Sequence, residues 1–176
     1  MTEPLFLDTD CLSTFLVVGQ ENLVLRLYAG RIGIPQQVYA ELSKVHFMKH
    51  KVDVLRQTGK VVLYQISAGT TEGDFYFKLT TKPDPGYKVI GSGEAAAIVL
   101  TQHYNGILGS NNLRDILPYI RRYHLQHRTS ADIMAEALEQ HLISEGQGNA
   151  IWKQMLQRNR KLPTDTFSEF LASRES

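Results

Sequence analysis

One cysteine, one tryptophan and six prolines in 176 residues leave few covalent or rigid constraints on this chain. A lone Cys11 forms no internal disulfide, which excludes a small disulfide framework and fits a reducing compartment. No basic start leads into an apolar signal segment, and no apolar run approaches the ~18 residues of a membrane span, so the sequence reads as cytoplasmic with no membrane attachment. Charge of one sign is also missing. With 19 Lys and Arg against 18 Asp and Glu the net charge is +1, so any nucleic-acid contact rests on a local patch. Internal repeats and low-complexity segments are absent, which excludes repeat architectures.

What is present is the composition of an ordinary globular domain, 43% hydrophobic and 21% charged. Strand and helix signals alternate, predicting an α/β fold with a mostly parallel sheet. Strands are expected at Leu5–Leu7, Ile32–Ile34, Val61–Tyr64 and Ile107–Leu108, with a further one around His124–His127. Helical patterns cover the stretches between, among them the Ala-rich run from Glu94. Thr71-Glu72-Gly73-Asp74 resembles a capping box, and Thr166-Phe167-Ser168-Glu169 is another. Residues 146–176 read as a helical extension packed on a domain of residues 1–145, since no Gly/Ser/Pro linker separates them. Ile151, Trp152, Met155 and Leu156 form a packing stripe in that extension.

Acidic residues stand at element junctions. Asp8 and Asp10 follow the first strand, where a buried run delivers a carboxylate to the C-terminal sheet edge. Asp10 also reads as the N-cap of a helix beginning near Leu12. Glu41 sits in the helix after the second strand, as a ligand or as a solvated residue. Glu94 lies in the first turn of the Ala-rich helix, where it also complements the helix dipole. Ser110-Asn111-Asn112 follows the short strand Ile107-Leu108, and Asp115 stands one turn later.

This order of motifs (strand-Asp-Thr-Asp-Cys-Leu, Ile-Pro-Gln-Gln-Val-Tyr-Ala-Glu, Gly-Glu-Ala-Ala-Ala-Ile, then a short strand with a polar tail) resembles the PIN domain. That family of metal-dependent ribonucleases includes the toxins of VapBC toxin–antitoxin pairs. The resemblance spans roughly residues 5–130. It implies a three-layer α/β/α fold with extra C-terminal helices. It also implies an endoribonuclease acting on single-stranded RNA with Mg²⁺ or Mn²⁺, a small antitoxin protein as partner, and a homodimer. Asp8, Glu41 and Glu94 would be the catalytic acids and the main metal ligands. Asn111, Asp10 and Asp115 would be accessory metal-site residues. A gap-free reading puts Ser110 and Asn111 where the family commonly has an Asp pair. Loss of that charge predicts one good metal site and a weak second one, or a PIN-like RNA-binding module without cleavage.

The chemistry requires acids, because phosphodiester hydrolysis needs an activated water and charge neutralisation, which a hard cation on carboxylates supplies. Arg114, Arg121 and Arg122 are candidates for RNA phosphates; they, with Arg128, and the later cluster Arg158, Arg160 and Lys161 also read as solvated helical faces, with an anion-binding surface as the alternative. The histidines show no zinc spacing, and Cys11 reads as a core thiol. Asp8-Thr9-Asp10 also resembles the haloacid dehalogenase phosphatases, but Leu12 stands where that family places Thr or Val.

Overall fold

Leu5-Phe6-Leu7 forms strand β1 (Leu5–Leu7), and all three residues are buried, as a central strand of a parallel sheet must be. The computed structural model describes residues 3–176. β1 lies in a five-stranded sheet with β2 (Ile32–Pro35), β3 (Val62–Tyr64), β4 (Ile107–Gly109) and β5 (Gln126–Arg128). The order is β3-β2-β1-β4-β5 and every pairing is parallel; Leu5 stands opposite Ile32 on one side and Ile107 on the other.

Ten helices cover the sheet among the described residues: α1 (Thr9–Leu16), α2 (Glu21–Leu27), α3 (Gln36–Leu42), α4 (His46–Gln57), α5 (Thr71–Thr80), α6 (Ser92–His103), α7 (Leu113–Tyr123), α8 (Ser130–Glu139), α9 (Glu145–Gln157) and α10 (Phe167–Glu175). None is long and apolar enough to cross a membrane. The two-residue period of a strand splits the core in two. Leu5, Leu7 and Ile107 join Phe15, Met134 and Trp152 in one apolar cluster. Leu108, one residue on from Ile107, joins Ile98 and Val99 of α6 and Ile116 of α7 in the other. The fold is therefore α/β, as the alternating signals predict, with the three layers, α/β/α, that the resemblance implies.

α9 and α10 contribute to the first cluster, through Ile151, Trp152, Met155 and Phe167. The Trp152 indole N–H donates to the Thr164 carbonyl at 2.9 Å, which satisfies its polar handle inside the core. Thr166 caps α10 with the expected capping box. Two helix starts differ from expectation. α5 is capped by Thr70, whose hydroxyl accepts from the Gly73 N–H. α1 begins at Thr9, ahead of Leu12, because Asp8 caps it.

Strands β1, β2 and β3 follow one another in one direction, and β4 then returns to the far side of β1. The crossovers therefore diverge at the C-terminal ends of β1 and β4, the switch point where open parallel sheets leave a crevice. Asp8 follows β1 there, and Ser110 follows β4.

Candidate functional site

Asp8 leaves β1 in extended conformation and serves two sides at once. One carboxylate oxygen, Oδ1, accepts the Cys11 N–H at 2.8 Å and so caps α1. The other, Oδ2, is buried without a hydrogen-bond partner. The Ser110 hydroxyl beside it is also unpartnered: the two groups are near neighbours without hydrogen-bond geometry. Asp8 is 1% exposed, and burial pushes its pKa up to about 7. Ser110 and the Cys11 amide pull it down, while the nearby charges of Asp10 and Glu94 push it further up. A buried carboxylate oxygen without a partner is costly, and a cation or an ordered water is the usual remedy.

Glu94, in the first turn of α6, is half-buried. Burial raises its pKa, the Asn112 amide opposes that, and the neighbouring Asp115 charge adds to it. The Asn112 amide nitrogen bridges two carboxylates, donating to Glu94 at 2.8 Å and to Asp115 at 2.7 Å. Each of its two hydrogens is thereby used.

Glu41 works as a clamp. Its carboxylate accepts from the Thr9 hydroxyl, from the Ser92 hydroxyl at 2.9 Å and from the Gly93 N–H at 3.2 Å. α6 has no side-chain cap of its own, so α3 supplies one from a distance, and the helix dipole favours the negative charge. Gly93 permits the approach: a Cβ there would sit 2.8 Å from the Thr9 hydroxyl oxygen and 3.2 Å from Glu41.

Asp8, Asp10, Glu41, Glu94 and Asp115 line one cleft of about 490 Å³, with Asn112 and Arg160 in its wall. Every acid singled out from the sequence thus reaches one place. Asp10 is not the N-cap of α1. It sits in the first turn, 55% exposed at its side chain, where Oδ2 accepts the Asn111 amide at 3.0 Å.

Asn111 is not among the residues lining the cleft. Its carbonyl accepts the Ser130 N–H at 2.7 Å and its amide donates to Asp10 and Ser130, so it ties β4 to α8 and offers no free oxygen for a metal. Asn112, one residue on, occupies the place expected for Asn111. The arginines of α7 also stand apart: none of Arg114, Arg121 and Arg122 lines the cleft. Arg122 is paired with Asp84 at 2.9 Å and lies over the rings of Tyr87 and Tyr123. The arginine that does reach the cleft is Arg160, which the sequence places in a basic cluster read first as a solvated face and otherwise as an anion-binding surface. The stretch Asn159-Arg160 after a helical stripe signals a helix end, but not where Arg160 points.

The donor set is all oxygen, which suits a hard divalent cation. Among the described residues no three acidic, histidine or cysteine side chains are gathered tightly enough to hold an ion directly. A hard cation here would have to keep much of its water and take no more than one or two carboxylates, a mode open to Mg²⁺. Asp8, with its free buried oxygen, and Glu94 are the two that would hold it. No protein-family model and no curated relative matches the chain.

Proposed function

We propose that the cleft is the catalytic centre of a Mg²⁺- or Mn²⁺-dependent endoribonuclease of PIN type, acting on single-stranded RNA in the cytoplasm. One observation carries this reading: the unpartnered, buried Asp8 Oδ2 at the sheet's switch point, in a cleft shared with Glu94 and Asp115. When bound, the ion would neutralise phosphate charge and acidify a water. Asp8 and Glu94 would hold it. Glu41 ties the start of α6 to Thr9, the residue after Asp8, and Glu94 lines the same cleft as Asp8. Hydrolysis adds a water oxygen to phosphorus and breaks one P–O ester bond. The proton released by that water would go to a cleft carboxylate, with half-buried Asp115 as the candidate, and the departing ribose oxygen would take a proton from solvent water.

On the same reading a small antitoxin protein covers the cleft and the chain forms a homodimer, which sizing and co-purification would test. The test of activity itself is a Mn²⁺ titration against a single-stranded oligoribonucleotide. Cleavage should require the ion, stop with EDTA, and vanish in Asp8→Asn and Glu94→Gln proteins that still fold. A second reading, an RNA-binding module without cleavage, is favoured by the amide of Asn112 between Glu94 and Asp115. RNA binding without cleavage at any Mn²⁺ concentration selects it.

A further inference from the structure

Arg160 is the only cation among the described residues lining the cleft, against five carboxylates. Its position is set by how α9 ends. Asn159 takes the left-handed conformation, at φ 60°. Its N–H bonds to the Leu156 carbonyl and the Arg160 N–H bonds to the Met155 carbonyl, each at 3.0 Å. This is the Schellman arrangement, with Asn in the position usually held by glycine. Met155 and Trp152, on the helix behind, are fully buried. Past Arg160, the Thr164 carbonyl receives the Trp152 indole N–H, and Phe167 packs on Gly148, where a Cβ would lie 2.2 Å from the ring. The segment bearing Arg160 is thus fastened to the core on both sides.

The guanidinium itself is poorly satisfied. Its side chain is only 23% exposed, and Nε is buried with no partner. The nearest carboxylate, Asp10, lies 3.6 Å from a terminal nitrogen, beyond hydrogen-bond distance. Asp10 is largely exposed, and a loose pair of this kind contributes little. Arg128, by contrast, bonds both the Glu136 carboxylate and the His127 carbonyl. An arginine held with free donors beside a carboxylate cleft matches a planar, bidentate oxyanion. A phosphodiester approaching five acids needs such a counter-charge.

We propose that Arg160 is a phosphate-positioning residue, taking a backbone phosphate of the strand next to the one that is cut. The proposal rests on the ribonuclease reading above and gives the C-terminal extension a part in substrate binding.

The test uses the full chain, with Arg160→Met and Arg160→Lys, and Asn159→Gly as a control that keeps the turn. Binding of a single-stranded oligoribonucleotide is measured with Ca²⁺ in place of Mn²⁺, and Mn²⁺ affinity is measured separately by calorimetry. Arg160→Met should weaken oligonucleotide binding about tenfold to a hundredfold, the range for a charged hydrogen bond. It should also lower the salt dependence by about one ion. Mn²⁺ should bind more tightly, because a competing cation is gone. Arg160→Lys should fall between, with KM raised more than kcat is lowered, and Asn159→Gly should match wild type. A purely structural role would weaken both ligands together. Unchanged oligonucleotide binding in a folded Arg160→Met protein that still cuts RNA overturns the proposal and leaves the ribonuclease reading intact. Wild type that neither binds nor cuts RNA overturns both.

Discussion

Replacing Asp8 by Asn should make the metal-free protein more stable at neutral and alkaline pH while abolishing the metal-dependent cleavage proposed for the cleft. The folded-state pKa is raised from 3.8 to about 7, mainly by burial. Between those values the folded chain holds a proton that the unfolded chain releases. The stability this confers is complete below the unfolded pKa and is lost as pH rises through the folded one. At about 1.4 kcal/mol per pH unit, the roughly three-unit shift corresponds to a ceiling of about 4 kcal/mol against ionised Asp8 at alkaline pH. Asn carries no charge to desolvate. Its oxygen can keep the Cys11 N–H, and its amide can offer a hydrogen to the unpartnered Ser110 hydroxyl. With EDTA present, the variant and wild type should melt together near about pH 4 and diverge up to about pH 8. For a chain of this size each kcal/mol moves the midpoint by about 2–4 °C. Adding Mn²⁺ should close the gap, because binding to ionised Asp8 stabilises wild type alone. Urea and thermal melts across pH measure this directly. An Asp8→Asn protein equal to wild type at every pH, or weaker than it in EDTA at about pH 8, would refute the reasoning.

Three further substitutions probe the neighbouring parts. Asn112→Asp places a third carboxylate between Glu94 and Asp115 and removes both amide bonds, so the metal-free protein should lose about 1–3 kcal/mol while Mn²⁺ binds at least about tenfold more tightly. Calorimetry and melting in EDTA read the two effects, and unchanged Mn²⁺ affinity would count against a metal at Glu94. Glu41→Ala strips the cap from α6, and a loss of about 1–3 kcal/mol in chemical denaturation is expected, with weakened cleavage at saturating Mn²⁺. Trp152→Ala should cost about 3–5 kcal/mol and also carry the weak RNA binding expected of Arg160→Met, since the Thr164 anchor goes with the ring. Normal RNA binding by a folded Trp152→Ala protein would separate the anchor from Arg160.

The strands were legible because short buried runs between turn residues have few other uses, and β1, β2 and β4 are of that kind. The acids were legible for a related reason: Asp8 abuts a strand, Glu94 opens a helix, and both must lie near the sheet's C-terminal edge. What failed was direction. Which of two consecutive asparagines turns into the cleft depends on the backbone between β4 and α7 and on Ser130 arriving to claim Asn111. Glu41 belonged in the cleft, but its partners on α1 and α6 make it a clamp, and no local pattern encodes them. Arg160 is the extreme case, since its place in the cleft wall depends on packing between the extension and residues near the start of the chain. β5, a polar strand of Gln126, His127 and Arg128, shows no alternation to read beyond its place after α7.

The Glu41 clamp also bears on the order of folding. α6 opens on Gly91 without a side-chain cap, and the bond that satisfies the Gly93 N–H spans 52 residues of chain. Local structure in the Ala-rich helix can form early, but its first turn, which carries Glu94, is completed only when α3 docks. Contacts that close such long loops form late, after their entropy has been met by other packing. Glu41 substitutions should therefore hasten unfolding and leave the refolding rate nearly unchanged, a pattern stopped-flow chevrons would reveal. On that expectation the acidic cleft is among the last parts of the chain to be completed.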